Sequence, residues 1–229
     1  MNKRLRPLLA LLFVVGLITA ACSSGSSEPA AEANTASGGH VASSASASTQ
    51  DPVAVHQAMR KLWEDHVTWT RLYIVSAVAG LPDLEATAGR LLQNQADIGN
   101  AVKPFYGEEA GAKLTELLRG HILTAADLLG AAKAGDEAKL TQAKDAWYVN
   151  SDEIATFLAG ANPAWPADTL KSMMRGHLDQ TLAEATARLQ GNWAQDIAEY
   201  DHIHDHILQM SDALAAGIVT QFPDRFVAN

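Results

Sequence analysis

The sequence predicts an all-α protein: six antiparallel helices arranged as three tandem helical hairpins that form a bundle. Three observations lead there. From Pro52 onward, apolar residues recur every three or four positions, the spacing of one helix face. No stretch alternates polar and apolar long enough to suggest a sheet. One block of sequence also returns three times at intervals of about 55 residues.

The elements follow in order. Leu62, His66, Trp69, Tyr73 and Ala77 trace the first helix, which stops at Gly80-Leu81-Pro82-Asp83. Leu84, Leu91, Ile98 and Val102 mark a second, broken by Pro104 and Gly107. Leu114, Leu118, His121, Ala125, Leu128 and Ala132 mark a third, ending at Gly135-Asp136. Trp147, Ile154 and Phe157 belong to a fourth, closed by Gly160-Ala161-Asn162-Pro163. Leu170, Met174, His177, Thr181 and Leu189 give a fifth, ending near Gly191-Asn192. Ile197, Tyr200, Ile207, Leu214 and Ile218 give the sixth, terminated by Pro223. Short loops make neighbours antiparallel.

The repeat is specific in its residues. Leu118-Arg119-Gly120-His121-Ile122 matches Met174-Arg175-Gly176-His177-Leu178, and Leu62 with His66-Val67 matches Leu117 with His121-Ile122. On the return helices, Asn94-Gln95-Ala96-Asp97-Ile98 falls on Asn150-Ser151-Asp152-Glu153-Ile154. Asp152-Glu153-Ile154 in turn falls on Asp205-His206-Ile207 at an offset of 53, with the difference absorbed in loops. These copies set His66, His121 and His177 on outgoing helices opposite Asp97, Glu153 and His206 on returning ones. Each member lies roughly 21–25 Å from its turn at 1.5 Å per residue, so the partners meet at one level.

All three outgoing histidines fall on the apolar stripe. Neutral imidazoles with one or two carboxylates suit a transition metal, and facing helices of bundles build such sites. His66, Asp97, His121, Glu153, His177 and His206 are therefore candidate ligands for an ion such as Cu, Zn or Fe. Met173 and Met210 are weaker candidates, one turn from His177 and His206, whose thioethers would favour copper. The alternative is a set of buried hydrogen bonds that fixes helix register, inherited by duplication. In the run Asp201-His202-Ile203-His204-Asp205-His206, His202 and His206 share one side and His204 points elsewhere, so one ion cannot take all three. Trp147, Trp165 and Trp193 either line a ligand groove or pack the core.

The first 21 residues read differently. Lys3, Arg4 and Arg6 precede an apolar run from Leu8 to Ile18, and Thr19-Ala20-Ala21 precede Cys22, the only cysteine. A basic head, an apolar core and small residues before a cut site describe a secretory signal. The apolar run, at about 14 residues, is short for a bilayer span of roughly 20. Leu17 to Cys22 resembles the lipobox of bacterial lipoproteins. That resemblance implies cleavage before Cys22, lipidation of its thiol, and an extracytoplasmic protein anchored in the cell envelope by lipid. Residues 22–52 are then a Ser/Ala-rich tether whose composition cannot bury enough surface to order itself. Its reach is on the order of 30 Å. Residues 53–229 are the helical domain.

Composition excludes several functions. The chain has 229 residues and a net charge of -9, and removal of residues 1–21 leaves 14 Lys+Arg against 26 Asp+Glu. Nucleic acid is excluded as a partner, because phosphate binding needs a basic patch. One cysteine excludes a disulfide framework and a cysteine-clustered metal site. The Glu-x-x-His pair of di-iron carboxylate bundles, His-Glu-x-x-His, Gly-x-Ser-x-Gly and a phosphate-binding glycine loop are all absent. No Ser–His–Asp set assembles, so the residues point away from an enzyme and toward a metal-binding protein or an envelope scaffold that binds a protein partner.

Overall fold

The computed structural model describes residues 50–227. The expected secretory signal, Cys22 and the expected tether as far as residue 49 lie outside the described residues. Five α-helices follow in order: α1 Pro52–Ala79, α2 Leu84–Ala134, α3 Glu137–Ala161, α4 Ala167–Leu189 and α5 Trp193–Gln221, with a final 3-10 turn at Pro223–Arg225. No strand occurs among the described residues. The fold is all-α, as its periodicity indicates.

Local signals explain the boundaries. Asp51 caps α1 by accepting a hydrogen bond from the Val53 amide at 2.9 Å, and Pro52 supplies the first turn without a wasted donor. Asp136 caps α3 through the Lys139 amide at 3.1 Å, and Asn192 caps α5 through Gln195. Pro163 and Pro223 follow the ends of α3 and α5, where no further helical amide can be supplied.

The element count differs from the expected six. The second and third expected helices are joined in α2, 51 residues long, which passes through Pro104 and leaves helical geometry only at Gly107. Gly107 has φ 87° and ψ 170°, a conformation essentially closed to residues with a Cβ. Pro104 alone does not end the helix, since it removes one hydrogen bond, whereas Gly107 redirects the chain.

Beyond Gly107 the chain passes back over residues it has just left. A Cβ placed on Gly99 would lie 2.6 Å from the Gly111 carbonyl oxygen and 1.9 Å from Thr115 Oγ1. One placed on Gly111 would lie 2.6 Å from the Gly99 carbonyl. The two backbones approach each other closely there, and only glycine, which has no Cβ, fits at either position. Arg119 also reaches the Leu92 carbonyl at 3.4 Å.

The helices pack in chain order, and α5 returns against α1, which also touches α4. This closure makes a bundle rather than an open row of helices. Its core holds Trp63, Val67, Ile98, Leu118, Trp147, Ile154, Leu178, Ile203 and Ile207, each no more than 4% exposed. Burying each such aliphatic side chain contributes about 1.5–3 kcal/mol, which is what offsets the entropy of ordering long helices.

Polar networks tie the two ends. At one end Tyr106 donates to Gln221 at 2.9 Å and accepts from Asn162 at 2.9 Å, while Gln221 donates to the Ala161 carbonyl. At the other, Arg71 bridges Glu184 at 2.6 Å and Asp196 at 2.9 Å, and Arg188 meets Asp196 at 3.1 Å. Glu184 and Asp196 are 2% and 1% exposed, so these are buried carboxyl groups held by shared guanidinium groups. Finally, Gln50 pairs with the tail, donating to the Arg225 carbonyl at 2.8 Å and accepting from the Val227 amide at 3.1 Å.

The glycine contact gives a paired test. Gly99→Ala should lower stability by about 2 kcal/mol or more, because backbone must move to admit the methyl. Gly89→Ala, on the same helix with nothing within 4 Å of its added Cβ, should raise stability by roughly 0.5–1 kcal/mol. Urea unfolding followed by circular dichroism distinguishes the two; equal effects would contradict the close approach.

Candidate functional site: a buried histidine layer

His66 on α1, His121 on α2 and His177 on α4 meet in the centre of the bundle. They are 2%, 3% and 3% exposed. The His177 ring lies 5.6 Å from that of His66 and 6.3 Å from that of His121, centre to centre. Trp63 stands edge-on to His66 at 5.7 Å, and Trp147 lies 5.4 Å from His121. The helical stripe that carries the histidines is what brings them inside. Each is placed one turn from large apolar neighbours that must be buried.

The partners on the returning helices are amides, not carboxylates. Gln95 Nε2 lies 3.3 Å from His66 Nδ1, and Asn150 Oδ1 lies 3.1 Å from His121 Nδ1. Asn150 also donates to the Leu117 carbonyl at 3.1 Å, which orients its oxygen toward the imidazole. His121 therefore donates from Nδ1, leaving its Nε2 lone pair available. His177 has no such partner: its Nδ1 is buried without a hydrogen bond. The indole N–H groups of Trp63 and Trp147 and the Gln95 Oε1 are buried and unpartnered as well. An unsatisfied buried polar atom costs about 1–3 kcal/mol, so their concentration around one layer marks it as unusual.

A second regularity underlies the layer. Asn94 donates to the Leu62 carbonyl at 3.0 Å, Asn150 to the Leu117 carbonyl at 3.1 Å, and His206 Nε2 to the Met173 carbonyl at 2.8 Å. Each accepting carbonyl lies four residues before a layer histidine, and Asn94, Asn150 and His206 recur every 56 residues. His206 thus occupies the place of Asn150, not that of Glu153. The offset of 53 that aligned it with Glu153 is corrected to 56, and no difference needs absorbing in loops.

The other candidate residues fall elsewhere. Asp97 is 36% exposed, accepts from Gln93 at 2.9 Å and stands 3.7 Å from Arg90. Glu153 is exposed. Neither carboxylate joins the layer. His206 is half-buried beside Gly176, whose added Cβ would meet the ring at 3.5 Å. Met210 is buried and Met173 half-buried. His202 is exposed and faces Glu199 at 3.6 Å, while His204 reaches Glu64 on α1 at 2.9 Å. The three histidines of that run point three ways. Trp147 and Trp165 pack in the core, and Trp193 lies on the surface under Arg188 at 4.7 Å, so the three tryptophans form no common groove.

No protein-family model, no curated protein and no solved structure matches this chain. Its own geometry has to carry the functional argument. Among the described residues, no three His, Cys, Asp or Glu side chains stand at coordinating distances as they are, and no helix is long and apolar enough to cross a membrane. Beside the layer a cavity of about 30 Å³ is lined by Thr70, Leu91, Ala125, Trp147, Thr181 and Ala185, among others. It has room for about one water, not for an organic substrate.

Electrostatics fix the state of the imidazoles. Burial lowers His66 to about 3, helped by the neighbouring His121, and burial lowers His121 to about 4 against the pull of Asn150. Burial takes His177 well below its ordinary value, with His66, His121 and His206 all opposing its charge. All three are neutral near pH 7. Burial also raises Glu184 to about 7, against the attraction of Arg71.

The signs set an acid response. Folded histidines with values below 6.5 refuse protons that the unfolded chain accepts, so their contribution is full above pH 6.5 and falls as pH drops. Glu184 acts oppositely: its contribution is full below pH 4.5 and is lost as pH rises toward 7. Between pH 6.5 and 4.5, three proton uptakes on unfolding less one release leave about two. Stability measured by urea titration with a chelator present should therefore fall by about 3 kcal/mol per pH unit of acidification. His177→Gln should reduce that slope by about one proton; a flat profile would contradict buried neutral imidazoles.

Proposed function

We propose that this chain is a lipid-anchored extracytoplasmic helical-bundle protein, not an enzyme, whose histidine layer binds a transition-metal ion. One observation carries the metal reading: three neutral imidazoles gather in the core, and the central one, His177, has a buried ring nitrogen with no partner. Ligation by imidazole requires the neutral ring, which burial enforces. Around a tetrahedral ion with bonds of about 2.0 Å, imidazole centres stand about 5 Å apart. The observed separations of 5.6 and 6.3 Å approach that. Asp97 and Glu153, first considered as ligands, are left out of the set. Tandem descent from one helical hairpin, giving six helices with the second and third joined across Gly107, is supported by the side-chain-to-carbonyl bond repeated at Asn94, Asn150 and His206.

The rival reading is an envelope scaffold or partner-binding module whose polar layer only fixes helix register. It is favoured by those same carbonyl bonds, which need no ion. Elemental analysis of the full chain, purified in detergent from metal-replete cells, separates the two. The metal reading expects one ion per chain, lost in His177→Ala. Folded protein without metal would establish the scaffold.

The anchor rests on Cys22 and the residues before it. Cys22→Ala should move the protein from the membrane fraction to the soluble fraction on cell fractionation, and remove the lipid mass from its N-terminal peptide. Retention in the membrane fraction would mean a different attachment.

A further inference from the structure

We infer that the ion taken by the layer is monovalent copper, Cu(I), held by His66, His121 and His177. The inference rests on the metal reading above and narrows it to one ion. The first argument is charge. The side chains gathered at the layer include no carboxylate and no thiol: Trp63 and His66 from α1, Gln95 and His121 from α2, Trp147 and Asn150 from α3, His177 from α4, and His206 from α5. The nearby carboxylates of Asp97 and Glu153 lie toward solvent, and Glu184 and Asp196 are already engaged by Arg71 and Arg188. An ion entering this interior keeps its whole charge without a counter-anion.

The cost of that burial grows as the square of the charge, so a divalent ion costs about four times as much as a monovalent one. Zinc and iron sites in proteins usually meet this by including thiolate or carboxylate ligands, and here none is within the layer. Cuprous ion carries one charge, binds imidazole and accepts low coordination numbers, which three nitrogens satisfy. The second argument is the unpartnered Nδ1 of His177, a donor atom already stripped of water and lacking any proton donor. Ligation would satisfy it at a position where no protein group does.

The test is an anaerobic titration of the full chain in detergent with Cu(I), using bathocuproine disulfonate as competing chelator, against a parallel titration with Zn(II). The inference expects one Cu(I) per chain, bound about a hundredfold or more tightly than Zn(II). His177→Gln and His121→Gln should abolish binding, whereas the double variant His202→Ala, His204→Ala on the exposed run should retain it. Should the layer variants fail to fold, Cu(I) should still raise the thermal midpoint of the native chain, and Zn(II) should not. Preference for Zn(II) overturns the cuprous inference but leaves the metal reading standing. Loss of binding in the His202/His204 variant moves the site to the surface and overturns it as well. No binding of either ion removes both.

Discussion

The constraint on which this structure depends is the cost of keeping imidazoles dry. An apolar interior does not accept a charged ring, so His66, His121 and His177 are held neutral, and the groups that face them on the returning helices α2 and α3 are amides. Neutral rings still need partners for two nitrogens each. Amides answer that need better than carboxylates, because an amide can donate and accept without bringing charge. This explains why Gln95 and Asn150 face the rings while Asp97 and Glu153 face water.

Ionised groups are instead sorted to the ends and the surface. Arg71, Arg188, Glu184 and Asp196 form a compact set near one end, where the guanidinium groups remain about one-fifth exposed. Arg71 also lies over the Tyr200 ring at 5.0 Å, and Arg188 covers Trp193. The opposite end uses Tyr106, Asn162 and Gln221, again uncharged. Between these ends the buried residues are mostly apolar, and besides the imidazole layer the interior holds uncharged amides and hydroxyls such as Asn94, Gln95, Ser151 and Ser211. That layer fixes the axial position of α1, α2 and α4 in a way that interchangeable leucines would not.

Much of this was legible from periodicity. Apolar spacing placed all three histidines inward, and Gly80, Gly135 and Gly191 marked chain reversals that the structure contains. The partners were not legible, because a histidine suggests an acid more readily than an amide. Helical phase would have decided it. On α2, Leu91, Asn94, Gln95 and Ile98 share one arc and are all buried, while Asp97 falls at its margin. Trp147, Asn150, Ser151 and Ile154 occupy the same arc on α3, with Glu153 outside. A strict interval of 56 residues from Asn94 through Asn150 to His206 was available in the sequence, yet the change from amide to imidazole hid it. The break after the second expected helix was legible as Pro104 and Gly107 together, and of the two it is Gly107 that bends the chain, because the bend needs a conformation that glycine adopts most readily.

The pairing of Gln50 with Arg225 and Val227 has a mechanical consequence. Tension applied at residue 50 does not load α1 alone; two hydrogen bonds pass part of it to the Pro223–Arg225 turn and so to α5. Because α1 and α5 pack against each other, both rods are pulled from the same side.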